Sequence, residues 1–582
     1  VLTREPVGRI CPIEPARMFG RTVLQWDKED CAWMGLVKFD LLGLGMLSAL
    51  SISFDLISQH CGRFWTLASI PRNEPGVYDM LCRGDSIGVF QVESRAQIGA
   101  LPRLKPRCFY DLAVEIGLIR PGPVQGGAVH PYIRRRTGAE PVTYPHPLLE
   151  PVLERTLGIP LFQEQLMQMA TTVGNCTAAD ADLLRRAMGS KRRVERIDSL
   201  CTKLFEGMAA NGIDDDTAQG IYARIESFAN FGFAESHALS FAGLVYTSAW
   251  IKLHYPAVFL AALLRSQPMG FYSSATLVAD ARRHGVVTRR PDVARSSVGA
   301  DLELLDACCE ELGSEELETG IDECLHDHDE SEIGAFDPNR DDGDHRRDTH
   351  FAVRLGLSDV SGISIETATR IVEERERESF VSLDDLARRV DLSGEEVEAL
   401  ALAGAFDDLV GSRRGALWQI GQINGVAPGQ LDVQVVTQPP LLPEPTQMEL
   451  LGDDLRATSI STTDHPVRQV RDALNRRGVV QVDRLDGVEA RRRIEVAGVV
   501  THRQRPGTAG GVTFLNLEDE TGLLNVIVTP GVWRHYRRVA RASRALVVRG
   551  ILERGNEGVM SLQADRLEAL DLSVPTKSRD FR

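Results

Sequence analysis

The segment 301–350 carries the whole net charge of this chain. It holds 19 Asp and Glu residues against 3 Arg, a balance of −16, which equals the formal net charge of all 582 residues. The segment is low in aromatic residues and broken by Gly and Pro, so it cannot bury enough apolar surface to offset the entropy lost on ordering. We therefore expect a disordered acidic insertion over 296–350. The rest of the chain is balanced in charge, so local basic clusters there can meet nucleic acid.

A second break lies at about 425–463, where five prolines interrupt a stretch without helical period. The two breaks leave three pieces, because residues before 296 show helical caps and a 3.6-residue pattern, 351–424 contains short helices, and 490–572 alternates as short strands. The chain is also too long for one hydrophobic core. We predict a multidomain α+β protein, mainly helical at first and ending in an OB-type β-barrel.

Composition excludes several classes of protein. No run of about 18 apolar residues exists to span a membrane, and the start has no signal-peptide pattern, so we expect a cytoplasmic location without membrane contact. The first residue is Val1, and the missing Met predicts a truncated start. Ten cysteines contain no C-x-x-C pair, which predicts reduced thiols without a disulfide framework or zinc site.

A lysine and a carboxylate share a short apolar segment, 35–45. If this segment is a strand, alternation places Lys38 and Asp40 on one face. Such a pair suits metal-assisted phosphoryl chemistry, with Asp40 holding a divalent cation and Lys38 neutralising phosphate. A surface ion pair on a half-exposed strand is the competing interpretation.

A basic helix end follows at 177–193. Thr177 is the expected N-cap, with Asp180 in the first turn and Gly189 as the stop. Arg185 and Arg186 project together, which fits a triphosphate or a nucleic-acid backbone, although a solvated helix end competes. Further basic residues follow the stop, namely Lys191, Arg192 and Arg193.

Three other positions are candidate contacts. His237 is expected in the first turn of a helix running from Ser236 to Tyr255, where anions are favoured, although a capping or core histidine competes. Gly362 lies in a helix, glycine turn, helix pattern that can offer N–H groups to a DNA phosphate, but an ordinary helical turn gives the same pattern. In the strand-rich piece the barrel can track a single strand or serve protein contact alone, and its candidate contacts are His502, Arg503, Arg505 and Phe514.

Taken together, ordered segments of the chain carry a resemblance to a known family. They are GLVKFDLLGLGML, GVFQVESR, IRPGPVQGG, GIPLFQEQLMQMA, DLLRRAMGSK, FGFAESHALSF and AWIKLHYPAVFLAALL. In this order they resemble the palm end and fingers of the bacterial DNA polymerase III alpha-subunit family. The later THRQRPGTAGGVTFLNLEDETG and the terminal SRDFR resemble its error-prone branch, the ImuC type.

The resemblance implies a DNA-directed DNA polymerase of damage-induced mutagenesis and translesion synthesis, which adds dNTPs to a primer 3′ end on template DNA with two Mg²⁺ ions. Asp40 is similar to the third metal-binding carboxylate of the palm, and Lys38 to a lysine that contacts the triphosphate. Arg185 and Arg186 resemble fingers residues near that triphosphate. His237 resembles a histidine near the nucleotide sugar, where bulk opposes a 2′-hydroxyl.

The resemblance also implies a division into domains, with a helix-hairpin-helix region before the OB-fold. The expected boundaries are 1–62 for the palm end, 63–295 for the fingers, 296–350 for the insertion, 351–424 for the helix-hairpin-helix region, 425–489 for a Pro-rich linker, 490–572 for the OB-fold and 573–582 for the tail.

Three departures from the family pattern matter. The Pro-Asp-x-Asp-x-Asp motif that brings the other two catalytic carboxylates is absent, so we expect the chain to need a missing N-terminal polymerase region and to be inactive alone. Val360 replaces a usual glycine in the hairpin. The clamp-binding pattern is approximate, with Gln447, Leu450 and Leu451 as the candidate sliding-clamp contacts and accessory mutagenesis proteins as the alternative recruiters.

A rival class remains open, a non-catalytic DNA-binding or interaction protein from a split or decayed polymerase gene. A nuclease is disfavoured because no His and Asp cluster with hydrolytic spacing occurs.

Overall fold

The computed structural model describes most of the chain. The described residues are 3–16, 20–37, 43–119, 129–181, 183, 194–229, 233–305, 328–329, 333–337, 342–423, 442–506, 509–555, 560–572 and 579–581. They fall into two compact units. The first consists of Val1–Leu47 with Val124–Ser240, and the second of Ser48–Pro123 with Phe241–Arg582.

Helices dominate the described residues before position 480. The helices whose two ends are both described, including two near the end of the chain, are α1 Lys28–Trp33, α2 Leu44–Cys61, α3 Pro75–Cys82, α4 Arg95–Ile98, α5 Leu101–Leu104, α6 Phe109–Leu118, α7 Val129–Arg136, α8 Glu150–Leu153, α9 Gln163–Gly174, α10 Val194–Ala210, α11 Asp215–Ala229, α12 Glu235–His254, α13 Pro256–Arg265, α14 Ser274–Arg283, α15 Ile365–Arg377, α16 Leu383–Val390, α17 Gly394–Leu402, α18 Asp407–Val410, α19 Arg413–Ile423, α20 Gln447–Ala457, α21 Arg471–Arg477, α22 Pro530–His535 and α23 Arg537–Ala542. No helix in the described ranges combines the length and apolar content that a membrane crossing needs.

Strands form three sheets and concentrate near the end of the chain. They are β1 Ile13–Pro15, β2 Thr22–Leu24, β3 Thr288–Arg289, β4 Asp301–Leu304, β5 Phe351–Arg354, β6 Arg493–Gln504, β7 Thr513–Glu518, β8 Leu523–Val528, β9 Ala545–Arg554, β10 Met560–Ala569 and β11 Arg579–Phe581.

The first unit has a helical core made by α9, α10 and α11. Buried apolar side chains such as Leu166, Leu204 and Ile221 fill the space between these helices. Two of the helices meet without side chains between them, because a Cβ built on Gly207 would lie only 1.9 Å from the carbonyl oxygen of Gly174. Glycine at position 207 therefore permits this close crossing, and alanine there would force α9 and α10 apart.

The second unit is organised around α13, whose residues from Pro256 to Leu264 are all buried. Beside it Lys252 is buried between two carboxylates, with Nζ 2.7 Å from Oδ1 of Asp85 and 2.9 Å from Oδ2 of Asp280. His284 Nε2 lies 2.5 Å from the other oxygen of Asp85. Burial disfavours the charged forms of Lys252 and Asp85, but the ion pairs have the larger effect. The ion pairs therefore raise the pKa of Lys252 and hold the pKa of Asp85 well below its usual range.

Glu115 on α6 is fully buried, and neither carboxylate oxygen has a hydrogen-bond partner within the described residues. Burial raises the pKa of Glu115 well above the ordinary value. The destabilisation caused by its buried charge is therefore absent below the unfolded-state pKa, and it grows as the pH rises toward the folded-state pKa.

We expect Glu115→Gln to leave stability unchanged near pH 4.5 and to raise the free energy of unfolding by about 1.4 kcal/mol per pH unit above it. Urea unfolding at pH 5 and pH 8 measures this difference, with the exposed Glu378→Gln as control. Equal stability of Glu115→Gln and the parent at both pH values would contradict the expectation.

The expectation of a disordered insertion over 296–350 is wrong at both ends. Strand β4 pairs antiparallel with β5, which in turn pairs parallel with β3, and Asp301 at the start of β4 contacts Arg265 at 2.9 Å. At the other end Asp348 is fully buried and accepts hydrogen bonds from the backbone N–H groups of Ala257 and Val258 at the start of α13. Averaging the composition over the segment hides these ends, because their carboxylates find partners elsewhere in the chain.

Helices α15 to α19 form the predicted set of short helices, and Leu357, Ile371, Leu400 and Phe406 are among the buried residues of their core. The segment 425–489, expected as a Pro-rich linker with a possible clamp-binding segment, contains helices α20 and α21 within 442–489. Ala457 of α20 belongs to the same helical core, and Arg413 donates to Asp454 of α20 at 2.8 Å.

The last piece is a closed β-barrel, and the predicted fold class is confirmed. The strand order is β11-β6-β7-β8-β10-β9, and the additional pairing of β6 with β9 closes the sheet. Pairing is antiparallel except for β8 with β10 and β11 with β6, which are parallel. Along β7, Leu515 and Leu517 point into the core while Phe514, Asn516 and Glu518 lie on the outer face. Helices α22 and α23 connect β8 to β9, where the sequence predicts one helical interruption.

Candidate nucleic-acid interface

Most residues of the predicted nucleotide site, and the neighbouring basic residues predicted to bind DNA, lie outside the described residues. They are Lys38, Asp40, Arg185, Arg186, Lys191, Arg192 and Arg193. The helix start before the paired arginines is described, and it has the predicted cap, since the Asp180 N–H donates to Oγ1 of Thr177 and the Thr177 N–H donates to the Asp180 carboxylate. Hydrogen bonds to the Asp180 carboxylate, first from Lys203 and then from the hydroxyl and the N–H of Thr177, lower the pKa of Asp180 to about 2. The grouping of the arginines with Asp40 stays a prediction.

His237 is exposed in the first turn of α12, one residue later than the predicted helix start would place it. Its ring packs at 5.2 Å from that of Phe233. The first N–H of the helix, that of Glu235, donates to the carboxylate of Glu164 at 2.8 Å. A carboxylate of the chain therefore already occupies part of the helix N-terminus, and His237 keeps the solvent-facing position that a ligand contact needs.

The glycine turn of the helix-hairpin-helix region is exposed at Gly362, whose φ of 95° suits glycine. Ser364 caps α15 by accepting from the Thr367 N–H at 3.0 Å. Val360, at the position where the resemblance led us to expect glycine, is buried in the helical core. The substitution therefore fills the interior and leaves the exposed turn intact as a place where a phosphate could meet backbone N–H groups.

Arg503 on β6 was expected at the barrel surface, but it is buried. Its Nε donates to the carbonyl oxygen of Ala540 at 2.9 Å, and its Nη2 donates to that of Ser543. These carbonyls end α23, whose helix dipole favours a cation there. The contacts favour a role for Arg503 in holding α23 against the barrel instead of in binding nucleic acid.

The outer face of β7, which carries the candidate contact Phe514, is covered by the chain itself. The guanidinium carbon of Arg95 lies 5.1 Å from the centre of the Phe514 ring, and Nη2 of Arg95 donates to Asn516. Burial lowers the pKa of Arg95 to about 9, which leaves it charged at neutral pH. Arg95 and Phe514 thus form a half-buried cation-π pair.

The neighbouring positions on the barrel are covered in the same way. The ring of His502 stacks on Phe271 with centroids 4.6 Å apart and planes 9° from parallel. Oγ1 of Thr276 lies 3.2 Å from Glu518, and burial raises the pKa of this carboxyl. Of the four barrel residues singled out by sequence, Arg505 is the exposed one. Sequence reasoning missed Arg95, because no local pattern links it to a strand 421 positions away.

The predicted clamp-binding segment is the first turn and a half of α20. Thr446 and Glu449 form a capping box there, and Leu451 is buried while Gln447 is exposed. Clamp contact through Leu451 would require this helix to open, and contact by this segment stays a prediction.

Family models match four consecutive parts of the chain. Their descriptions and ranges are Bacterial DNA polymerase III alpha NTPase domain at 1–43, Bacterial DNA polymerase III alpha subunit finger domain at 46–212, Helix-hairpin-helix motif at 285–416, and OB-fold nucleic acid binding domain at 494–570. The third match begins before β3 and so includes the sheet that flanks the acidic segment.

Curated relatives match over the entire chain. An Error-prone DNA polymerase of Cutibacterium acnes is 98% identical over 582 residues, which are 100% of this chain and 51% of that protein. Proteins with the same name from Mycolicibacterium paratuberculosis and Mycobacterium tuberculosis H37Rv are 51% and 50% identical over 585 residues, 49% of each protein's length. The chain spans about half the length of the curated relatives it matches.

Proposed function

Because this chain belongs to the bacterial DNA polymerase III alpha-subunit family, as a carboxy-terminal part of its error-prone branch, we propose that it works within an error-prone polymerase that extends a primer 3′ end with dNTPs. The supporting observation is the 98% identity to an Error-prone DNA polymerase across all 582 residues. Damage-induced mutagenesis and translesion synthesis in the cytoplasm are the proposed setting.

The proposed nucleotide contacts all come from the first unit. Lys38, Arg185 and Arg186 neutralise the triphosphate, since guanidinium forks bind phosphate oxygens in pairs. His237, exposed at the start of α12, stands beside the sugar and disfavours a 2′-hydroxyl by its bulk. These residues position the nucleotide and stabilise the negative charge of the transferring phosphoryl group.

Asp40 can supply one ligand of a metal site, and its own sequence segment supplies no second carboxylate. Segment 35–45 contains a single acidic residue, Asp40, whereas two Mg²⁺ ions that hold the attacking and leaving oxygens need several carboxylates. We therefore place Mg²⁺ in the whole polymerase, where Asp40 would be one ligand and the N-terminal region would supply the others. Bound there, the ions would lower the barrier by stabilising the two oxygens.

DNA is the proposed macromolecular partner of the second unit. The exposed turn at Gly362 suits a backbone phosphate, and the barrel belongs to a class of domains that binds nucleic acid. A sliding clamp at Gln447 or accessory mutagenesis proteins are the proposed recruiting partners.

A binding and extension assay tests the function. We expect the purified chain to bind a fluorescent primer-template and to leave the primer unextended with Mg²⁺ and dNTPs, because two of three expected catalytic carboxylates are missing from its sequence. Adding the separately expressed N-terminal half of the Cutibacterium acnes relative is expected to give extension.

Two outcomes would contradict the proposal. Extension by the chain alone that Asp40→Ala abolishes would show that this chain holds a complete site. Failure to extend with the added half, together with retained DNA binding, would favour the rival DNA-binding or interaction protein.

A further inference from the structure

The helical connection of the barrel carries a dense basic surface that neither the sequence analysis nor the family descriptions assign. The stretch 521–552 contains no Asp or Glu. On α22, α23 and the turn that follows, five arginines are exposed. They are Arg534, Arg537, Arg538, Arg541 and Arg544. We call this set the arginine face.

Packing against the barrel aims the arginine face outward. Val532, Trp533, Tyr536 and Val539 pack on the barrel core, and Ala540 is fully buried. Arg534 lies on α22, and Arg537, Arg538 and Arg541 lie on α23, which begins after Tyr536. The four arginines are exposed, whereas these apolar residues pack on the barrel. The connection is therefore amphipathic, with a positively charged side toward solvent.

The arginine face lacks local neutralisation. Within the described part of the chain no ion pair involves any of its five members, whereas other exposed arginines of the barrel, such as Arg493 with Asp565, are paired. Like charges three and four residues apart destabilise a helix by about 0.2–0.5 kcal/mol per pair. Repulsion among these arginines is unfavourable when the surface meets only solvent. A bound polyanion is attracted by all of the arginines at once.

Arg503 of β6 and Arg505, which follows the end of that strand, lie beside the arginine face. The exposed Arg505 has Nη2 close to Gly511, since a Cβ built on that glycine would lie 3.4 Å from Nη2 and 3.6 Å from Pro530 at the start of α22. Arg503 holds the other end by binding the carbonyl oxygens of Ala540 and Ser543. Arg505 thus adds a sixth cation beside α22, and Arg503 is a positioning residue.

We infer that the arginine face, with Arg505, binds the phosphate backbone of nucleic acid without reading its sequence. The inference rests on the proposed function and deepens it by naming the surface. The outer side of β7, which an OB-fold can use to stack bases, is covered by Arg95. Attraction for phosphate must then come from exposed cations elsewhere on the barrel, and the arginine face with Arg505 gathers six of them.

Equilibrium binding of fluorescein-labelled dT20 and of a 20-base-pair duplex to the full chain tests the inference. The variant carries Arg537→Gln, Arg538→Gln and Arg541→Gln, since glutamine keeps helix propensity. We expect about a tenfold or greater loss of affinity at low salt, and a slope of log K against log salt smaller by about 2 for the single strand, because each lost phosphate contact removes about 0.7.

A matched variant controls for net charge. Arg477→Gln, Arg493→Gln and Arg566→Gln change the charge of the barrel by the same amount, but their side chains pair with Glu495, Asp565 and Glu568. We expect this variant to bind within about twofold of the parent, because its arginines are already neutralised. Unchanged thermal midpoints in both variants confirm that the barrel is intact.

The outcomes separate this inference from the proposed function. Parental affinity and salt slope in the arginine-face variant overturn the inference while leaving the polymerase proposal standing. Absence of any oligonucleotide binding by the parent chain counts against the polymerase proposal itself. Parental oligonucleotide binding combined with lost binding of poly-glutamate would assign the face to an acidic protein and would also overturn the inference.

Discussion

Asp40→Asn in the full-length polymerase is expected to reduce the rate of primer extension about a thousandfold, while primer-template affinity stays within about twofold. A thousandfold corresponds to about 4 kcal/mol of transition-state stabilisation, the scale of losing a metal ligand. The amide keeps the size of the side chain but loses the negative charge that holds a divalent cation. Single-turnover extension measured alongside DNA affinity separates the two effects.

The control for Asp40 is Glu14→Gln, an exposed carboxylate on β1 of the same unit. It removes an equal charge and is expected to leave the extension rate unchanged. Parental extension by Asp40→Asn would exclude Asp40 as a catalytic ligand and would leave Lys38 and Asp40 as the surface ion pair that their sequence equally allows.

Lys252→Met is expected to lower the free energy of unfolding of the second unit by about 3–5 kcal/mol, because it leaves Asp85 and Asp280 buried without their shared cation. Urea unfolding followed by tryptophan fluorescence measures the loss. The same substitution at Lys203, whose ion pair with Asp180 is partly exposed, is expected to cost much less, because solvent screens that pair.

The same variant should alter the pH dependence of stability. Asp85 has a depressed pKa in the folded protein, so its contribution is present above the unfolded-state pKa and is lost as the pH falls toward the folded-state value. The raised pKa of His284 has the opposite sign, since that contribution is lost as pH rises through it. We expect a shallower fall in stability below pH 4 for Lys252→Met. An acid limb as steep as that of the parent would contradict the assigned ion pairs.

Periodicity predicted the architecture well where one side of an element faces the core. The alternating pattern over 490–572 predicted short strands, and the structure has β7 there, with Leu515 and Leu517 toward the core and Phe514 and Asn516 on the outer face. Periodicity carries no information on what covers an outer face, so the burial of Phe514 by Arg95 could not be predicted. Nor could the burial of Arg503, since its partners are backbone carbonyls that become available only once α23 has ended.

Some predictions for the site depend on local sequence, and others depend on residues that are far apart in the chain. His237 is exposed at a helix start, close to where the sequence placed it, because a helix boundary is a local property. The proposed meeting of Lys38, Asp40, Arg185 and Arg186 depends on residues that are far apart in the chain, and it stays a prediction. Asp301 and Asp348 show the converse error, since a composition average treated them as solvated although each has specific partners.

Because the Arg95 guanidinium covers Phe514, an isolated barrel should differ from the barrel of the intact chain. A fragment cut out near position 490 would lose Arg95 and uncover an aromatic ring and an amide that are shielded in the intact chain. Such a fragment would gain a stacking platform for unpaired bases. Its measured affinity for single strands would therefore exceed the affinity of the same barrel in the intact chain.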